Sequence, residues 1–287
     1  MTPLTLAAPA KVNLSLRVVR RRDDGLHELD SILVLIDLAD RLLLMPGCSG
    51  LRTTDADGGP VPDVPVRPAE NLAWRGLAAG LRASPDDGMT CLSLEKSIPV
   101  AAGLGGGSSD AAAGWHLGRA WRGELTTPSR DEVGGLAAIG ADVPFFAAGV
   151  AAARVRGVGE EIDPLSVTAM SHGVLVIAPF ALATATVFAA TQASDWSGEA
   201  PVTAAEALSA GTNDLIAAAR RCDSRVDELA TLVIAAGGVP RLTGSGATFF
   251  VVTDGPDRSA TLAARLARAG VRAKPYATRL SAASIER

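Results

Sequence analysis

The chain has 287 residues, of which 48% are hydrophobic and 20% charged, so it can bury a sizeable core and is not disordered throughout. That length is generous for one domain and comfortable for two. A formal net charge of −4 offers no concentrated basic face and excludes the usual electrostatics of a nucleic-acid binder.

Leu14, Leu16 and Val18 alternate with Asn13, Ser15 and Arg17, the period of a half-buried strand. Arg20-Arg21-Arg22-Asp23-Asp24-Gly25 follows as a polar turn, with Asp24-Gly25 a hairpin signal; the arginines meet acids at once and form a solvated turn rather than a nucleic-acid patch. Residues 31–36 and 41–45 have the character of two further strands. Residues 46–67 are rich in Gly, Pro and Asp and predict loops or an exposed edge. Helical spacing covers residues 71–81, a short strand 91–94, and an Ala-rich helix 110–121 after a glycine run. Ser129-Arg130-Asp131-Glu132 is a capping box ahead of another helix, and residues 151–156 return to strand character.

Residues 173–194 carry no charge and approach the length of a membrane span, but Pro179, Thr184, Thr186, Thr191 and Gln192 interrupt them. A buried strand over 174–177, a loop and a helix start fit better. Helices are expected at 214–221, 224–236 and 256–269, stopped by Gly237-Gly238 and Gly270, and strands at 248–252 and 271–276. The change of pattern near residues 160–170 divides the chain into domains 1–163 and 164–287. No solenoid repeat is visible.

Cys48, Cys91 and Cys222 are odd in number and widely spaced, which predicts neither a disulfide scaffold nor a zinc site and fits a reducing cytoplasm. His27-Glu28 would open a zinc-protease motif, but Ser31 stands where its second histidine belongs. Residues 1–9 are too short, and lack the basic start, for a secretory signal. Of 27 basic residues only Lys11, Lys96 and Lys274 are lysines. A compact ammonium and a planar guanidinium fork are not interchangeable, so each lysine invites a reason.

The most informative segment is Pro99-Val100-Ala101-Ala102-Gly103-Leu104-Gly105-Gly106-Gly107-Ser108-Ser109, directly before the Ala-rich helix that Asp110 opens. Glycines let backbone approach a ligand, and free amides at a helix start bind anions, so the physics is that of a phosphate cradle. It is not a P-loop, since no lysine follows, nor a dinucleotide fingerprint, since the last glycine of that pattern is Ser108. The plainer alternative is a flexible turn with Ser108 or Ser109 as an N-cap.

The run 99–109 resembles the nucleotide-binding motif of the GHMP kinases, the superfamily of galactokinase, homoserine kinase and mevalonate kinase, and most resembles the members acting on 4-diphosphocytidyl-2-C-methyl-D-erythritol. The resemblance covers most of the chain. Pro9-Ala10-Lys11-Val12-Asn13-Leu14 resembles the first motif, Asp24-Gly25-Leu26-His27 a substrate turn, Gly140-Ala141-Asp142-Val143-Pro144 the catalytic aspartate segment, and Leu242-Thr243-Gly244-Ser245-Gly246-Ala247 the third, glycine-rich motif.

The resemblance implies an α+β fold of two domains, an N-terminal ATP-binding and catalytic one and a C-terminal ferredoxin-like sandwich that binds substrate. It implies transfer of the ATP γ-phosphoryl group to the 2-hydroxyl of that cytidine-diphosphate alcohol, with Mg²⁺, in the methylerythritol phosphate route to isoprenoids. It also implies a cytoplasmic monomer or homodimer with no nucleic-acid or membrane partner. Asp142 can take the hydroxyl proton and Lys11 can stabilise the developing charge, the same pair the resemblance implies. Taken alone, Asp142 would be a turn or cap residue and Lys11 a surface charge. Asn13 shares a strand face with Lys11. Lys96 and Asn71 match positions near the nucleotide. Leu26 stands where the family carries an aromatic residue on the base, His27 is retained to meet the base edge, and Phe188 matches the aromatic on its other side. Thr184, Gly244 and Ser245 complete the implied substrate site. No carboxylate cage for the ion is visible. The rivals are a homoserine- or mevalonate-type kinase and a non-catalytic nucleotide sensor.

Overall fold

The structure, a computed structural model, describes residues 2–62, 64–65, 67–85, 90–167, 170–198, 206–208 and 211–286. Residues 63 and 66 of the expected loop, and residues 168 and 169 of the expected boundary, lie outside the described residues.

A long hairpin organises the first half. Strand β1 (Leu4–Arg21) pairs antiparallel with β2 (His27–Pro46), from Leu4 opposite Leu44 to Arg21 opposite His27. The expected break inside β2 is absent. Asp37 faces solvent while Asp40 is buried and accepts the Ser97 and Ile98 amides at 2.5 and 2.8 Å. A paired backbone and a satisfied carboxylate let the strand continue.

The outer edge of β2 is shared. Its residues 41–46 pair with β4 (Thr90–Lys96) and its residues 29–34 with β5 (Ala152–Gly157). β3 (Gly50–Asp55), the exposed edge allowed for in residues 46–67, runs parallel to β4, and β6 (Glu161–Pro164) flanks β5. Between the two pairings the Leu35 amide donates to the Ala151 carbonyl at 2.8 Å and the Leu35 carbonyl accepts the Arg279 amide at 2.9 Å, while the turn after β4 reaches β1, where the Lys11 amide donates to the Leu104 carbonyl at 3.0 Å.

Helices α1 (Leu72–Leu81), α2 (Gly106–Trp121), α3 (Arg130–Gly135) and α4 (Val143–Ala147) belong to this half. The capping box at α3 forms in both directions, Glu132 N to Ser129 Oγ at 3.2 Å and Ser129 N to Glu132 Oε2 at 2.9 Å. The second half is a four-stranded antiparallel sheet ordered β10 (Arg272–Ala277), β7 (His172–Ile177), β9 (Phe249–Thr253), β8 (Arg241–Leu242). With it come α5 (Thr184–Ala190), α6 (Ile216–Cys222), α7 (Arg225–Ala235) and α8 (Pro256–Arg268). One core joins Leu16 and Val18 of β1 to Val176, Phe249 and Leu262 of this half. The chain end returns to the first sheet, with Thr5 bridged to Glu286 and Ile36 to Thr278. Among the described residues no helix is long and apolar enough to cross a membrane.

The cysteine expectation is corrected. Cys48 and Cys91 form a disulfide, Cα atoms 5.2 Å apart, and Cys222 is free. β4 lies between β2 and β3, so the turn joining those two strands passes over its start, with Met45 and Gly50 both opposite Cys91. Pairing across 43 residues leaves no local spacing to read.

α1 and α2 pack backbone to backbone through glycines. A Cβ on Gly76 would stand 1.9 Å from the Ala111 carbonyl oxygen, and one on Gly114 2.3 Å from that of Ala73. Overpacking of this kind costs about 1–3 kcal/mol or more. Gly76→Ala is therefore expected to lower the denaturant midpoint clearly. Gly135→Ala, whose Cβ would meet nothing within 4 Å, is expected to leave it unchanged or raise it.

Candidate functional site

A cleft of about 540 Å³ is lined by all but three of the residues singled out in the sequence. Lys11, Asn13, Asn71, Lys96, the run from Pro99 to Ser108, Asp142, Thr184, Phe188, Gly244 and Ser245 meet there, while Leu26, His27 and Ser109 do not line it.

Register shifts in the β1–β2 pairing fall between Pro9 and Lys11 and again between Asn13 and Ser15. Bulges of this kind re-aim side chains, and Lys11 Nζ donates to Asn13 Oδ1 at 2.6 Å. The ammonium also lies 3.4 Å from Asp142 Oδ2, with the lysine 3% and the aspartate 36% exposed. Asp142 stands at the N-cap of α4, in the turn that the Val143 amide closes on the Gly140 carbonyl at 3.0 Å, but its side chain makes no capping hydrogen bond. Asn13 Oδ1 also accepts the Gly244 amide at 2.8 Å, and its Nδ2 donates to Ser31 Oγ at 2.9 Å. The Thr243 hydroxyl lies 3.3 Å from both Asn13 Oδ1 and the Gly103 carbonyl, either of which can take its single proton. The first and third motifs are thereby tied through the Asn13 amide, and the second is reached through Thr243.

α2 begins at Gly106, four residues before its expected start at Asp110, and its N-cap is Gly105 rather than a serine. Glycine weakens a helix interior, but in the first turn it leaves no intrahelical bond unmade. The first such bond runs from Ser109 N to Gly105 O at 2.9 Å, so the amides of Gly106, Gly107 and Ser108 have no backbone acceptor among the described residues. Gly105 has φ +73°, and a Cβ there would stand 2.9 Å from Phe146 Cζ and 3.1 Å from Lys11 Cε. Ser109 does not line the cleft, and its hydroxyl donates to the Pro9 carbonyl at 2.7 Å.

Lys96 lines the cleft, and its ammonium pairs with Asp40 and, at 2.7 Å, with Asp110. Burial opposes its charge, but the two carboxylates outweigh that and hold its pKa above the ordinary value. Burial pushes the Asp110 carboxyl up to about 7 against the pull of Lys96, and Asp110 Oδ1 has no hydrogen-bond partner. Asn71 caps α1 through Oδ1, 2.9 Å from the Ala73 amide, while lining the cleft.

At the other end Thr184 Oγ1 and Ser245 Oγ are 2.9 Å apart. His27 stacks on Phe188 with ring centroids 5.2 Å apart. Burial and the nearby Arg21 lower its pKa, so the imidazole is neutral near pH 7. Leu26 is 54% exposed, and its amide donates to Asp24 Oδ1 at 3.0 Å in the hairpin turn. Sequence reasoning missed Val64 and Pro65, which line the cleft from the expected loop, and also missed Gly159 and Trp196. Gly159 packs so closely that a Cβ would meet the Ala141 carbonyl at 2.0 Å. Among the described residues no group of three or more His, Cys, Asp or Glu is arranged to hold a metal.

The sequence model of the GHMP kinases N terminal domain matches residues 71–150. A 4-diphosphocytidyl-2-C-methyl-D-erythritol kinase of Thermus thermophilus is 38% identical over 261 residues, covering 88% of either chain. The one from Rhodopseudomonas palustris is 38% identical and covers 92% of this chain and 93% of its own. A crystal structure of a 4-(cytidine 5'-diphospho)-2C-methyl-D-erythritol kinase superposes with a TM-score of 0.78 at 36% identity, over 96% of this chain and 98% of that one. A mevalonate kinase superposes with a TM-score of 0.63 at 12% identity, a likeness of fold alone.

An acid whose folded pKa lies above its unfolded value binds its proton more tightly when folded. The stability this gives is full at low pH and is lost as pH rises through the folded pKa. For Asp110 the window runs from the ordinary 3.8 to about 7. Asp110→Asn removes that linkage and leaves Lys96 paired one to one with Asp40. Denaturant unfolding at a series of pH values is expected to give Asp110→Asn a stability advantage that grows across this window and is flat above it.

Proposed function

The chain belongs to the GHMP kinases, and among them to the 4-diphosphocytidyl-2-C-methyl-D-erythritol kinases, and we propose that its phosphoryl transfer is carried by Lys11 and Asp142. It is an ATP-dependent phosphotransferase that phosphorylates the 2-hydroxyl of 4-diphosphocytidyl-2-C-methyl-D-erythritol in the methylerythritol phosphate pathway. The observation that carries the residue assignment is the buried Lys11 ammonium 3.4 Å from the half-exposed Asp142 carboxylate, inside a cleft with a cradle of free amides.

Phosphoryl transfer asks a protein mainly for positioning and charge stabilisation. The amides of Gly106, Gly107 and Ser108 sit at the positive end of the α2 dipole and suit the ATP phosphates. Leu72, Leu94, Val64 and Pro65 give an apolar wall for the purine, with Asn71 beside it. Asp142 takes the proton of the 2-hydroxyl as its oxygen bonds to the γ-phosphorus and the bond to ADP breaks. Lys11 stabilises the negative charge gathering on both oxygens. Asn13 holds the ammonium in place, and Gly244, Ser245 and Thr184 face the acceptor. Phe188 and His27 take the cytosine.

Mg²⁺ usually rests on phosphates, water and few protein groups. The donor set here fits that habit: among the described residues the Ser108 hydroxyl has no hydrogen-bond partner, whereas that of Ser109 is tied to Pro9, and the Ser108 hydroxyl would be the protein contact. The ion would neutralise phosphate charge. Two domains, 1–163 and 164–287, suit the two sheets, with residues 278–286 returning to the first. We read the protein as cytoplasmic, where Cys48 and Cys91 would stand as neighbouring thiols.

With ATP and a panel of alcohol acceptors, ADP release is expected from the cytidine-diphosphate alcohol and not from homoserine or mevalonate. Asp142→Asn is expected to lower kcat by about 10²–10⁴-fold with ATP affinity unchanged. Lys11→Arg is expected to fail as well, since a planar fork does not fit where a point charge is enclosed. Near-normal turnover in Asp142→Asn would remove the base assignment.

A further inference from the structure

Three aromatic rings stand in a row at the acceptor end of the cleft. Phe188 lines the cleft, His27 stacks on it at 5.2 Å with 30° between planes, and Trp196 meets His27 edge-on at 5.8 Å and 81°. His27 is the first residue of β2, directly after the exposed hairpin turn, a place where a side chain would otherwise swing. Its sequence neighbour Leu26 points to solvent and gives no support.

Trp196 is fixed from both sides. Its Nε1 donates to Thr191 Oγ1 at 3.1 Å. The preceding Asp195 accepts the Gln192 amide at 2.9 Å and is ion-paired with Arg221 of α6. The following Ser197 donates to Asp214 through its amide at 2.8 Å and its hydroxyl at 2.6 Å. Asp214 also accepts the Val18 amide of β1 at 2.9 Å, which fixes the indole relative to the hairpin that carries His27.

We propose that Trp196 is a positioning residue for base recognition: it holds the His27 imidazole against Phe188, so that the pyrimidine of the acceptor meets that imidazole in one orientation. The turn residue Leu26 cannot supply this. The inference rests on the reading that the acceptor carries a cytidine diphosphate.

Cytidine 5′-diphosphate, titrated calorimetrically into the full chain, tests it. Edge-to-face ring contacts of about 0.5–1.5 kcal/mol correspond to about 2- to 12-fold in affinity. Trp196→Ala is expected to weaken cytidine 5′-diphosphate by about that factor, leave ATP affinity unchanged, and be largely rescued by Trp196→Phe. In a His27→Ala background the same substitution is expected to have no further effect, which a merely structural role would not produce. If Trp196→Ala does not fold, as judged by lost ATP binding, Trp196→Leu carries the same expectation. Unchanged cytidine 5′-diphosphate affinity, or an equal loss with and without His27, would overturn the role of Trp196 alone. A wild-type chain that binds ATP but no cytidine 5′-diphosphate would overturn this inference together with the cytidine reading it rests on.

Discussion

The site depends on one enclosed ammonium. Lys11 is 3% exposed, and a charge taken out of water is tolerated only where acceptors replace the water. It has two, the Asn13 amide oxygen at 2.6 Å and the Asp142 carboxylate at 3.4 Å. Asn13 in turn takes the Gly244 amide, and the Thr243 hydroxyl lies between its amide oxygen and the Gly103 carbonyl. Satisfying one lysine therefore goes with bringing the first strand, the glycine-rich turn after β4 and the late glycine-rich motif to one point.

The lysines separate by role. Lys274 is exposed on β10 and is an ordinary surface charge. Lys96 is buried with two carboxylates, and there burial, with a smaller push from Asp40, raises the Asp110 pKa against the pull of Lys96. Lys11 faces a single carboxylate that is open to the cleft, so its charge remains directed at whatever enters. A buried ammonium beside a half-exposed acid can do chemistry.

Much of this was legible where the signal is local. The two-residue spacing of Lys11 and Asn13 set them on one strand face, the serine-to-glutamate spacing marked the α3 cap, and glycine density marked the cradle. The start of α2 was misplaced because glycine's helix penalty applies to interiors and not to a first turn whose amides are free. The expected break between residues 36 and 41 does not form, because Asp40 is buried and takes the Ser97 and Ile98 amides. Cys48–Cys91, Trp196 against His27, and Gly159 against Ala141 are contacts between distant parts of the chain, and no spacing encodes them. Leu26 stands at the family position in the hairpin turn that Asp24 holds through the Leu26 amide.

The central claim is that Lys11 and Asp142 act as one unit on the transferring group. Groups that act together are grossly non-additive, whereas independent ones multiply. The most direct test is a double-mutant cycle on the single-turnover rate with saturating ATP, comparing Lys11→Met, Asp142→Asn and the double variant. The account predicts that the double variant is about as slow as the slower single one. A double variant slowed by the product of the two single effects would contradict it.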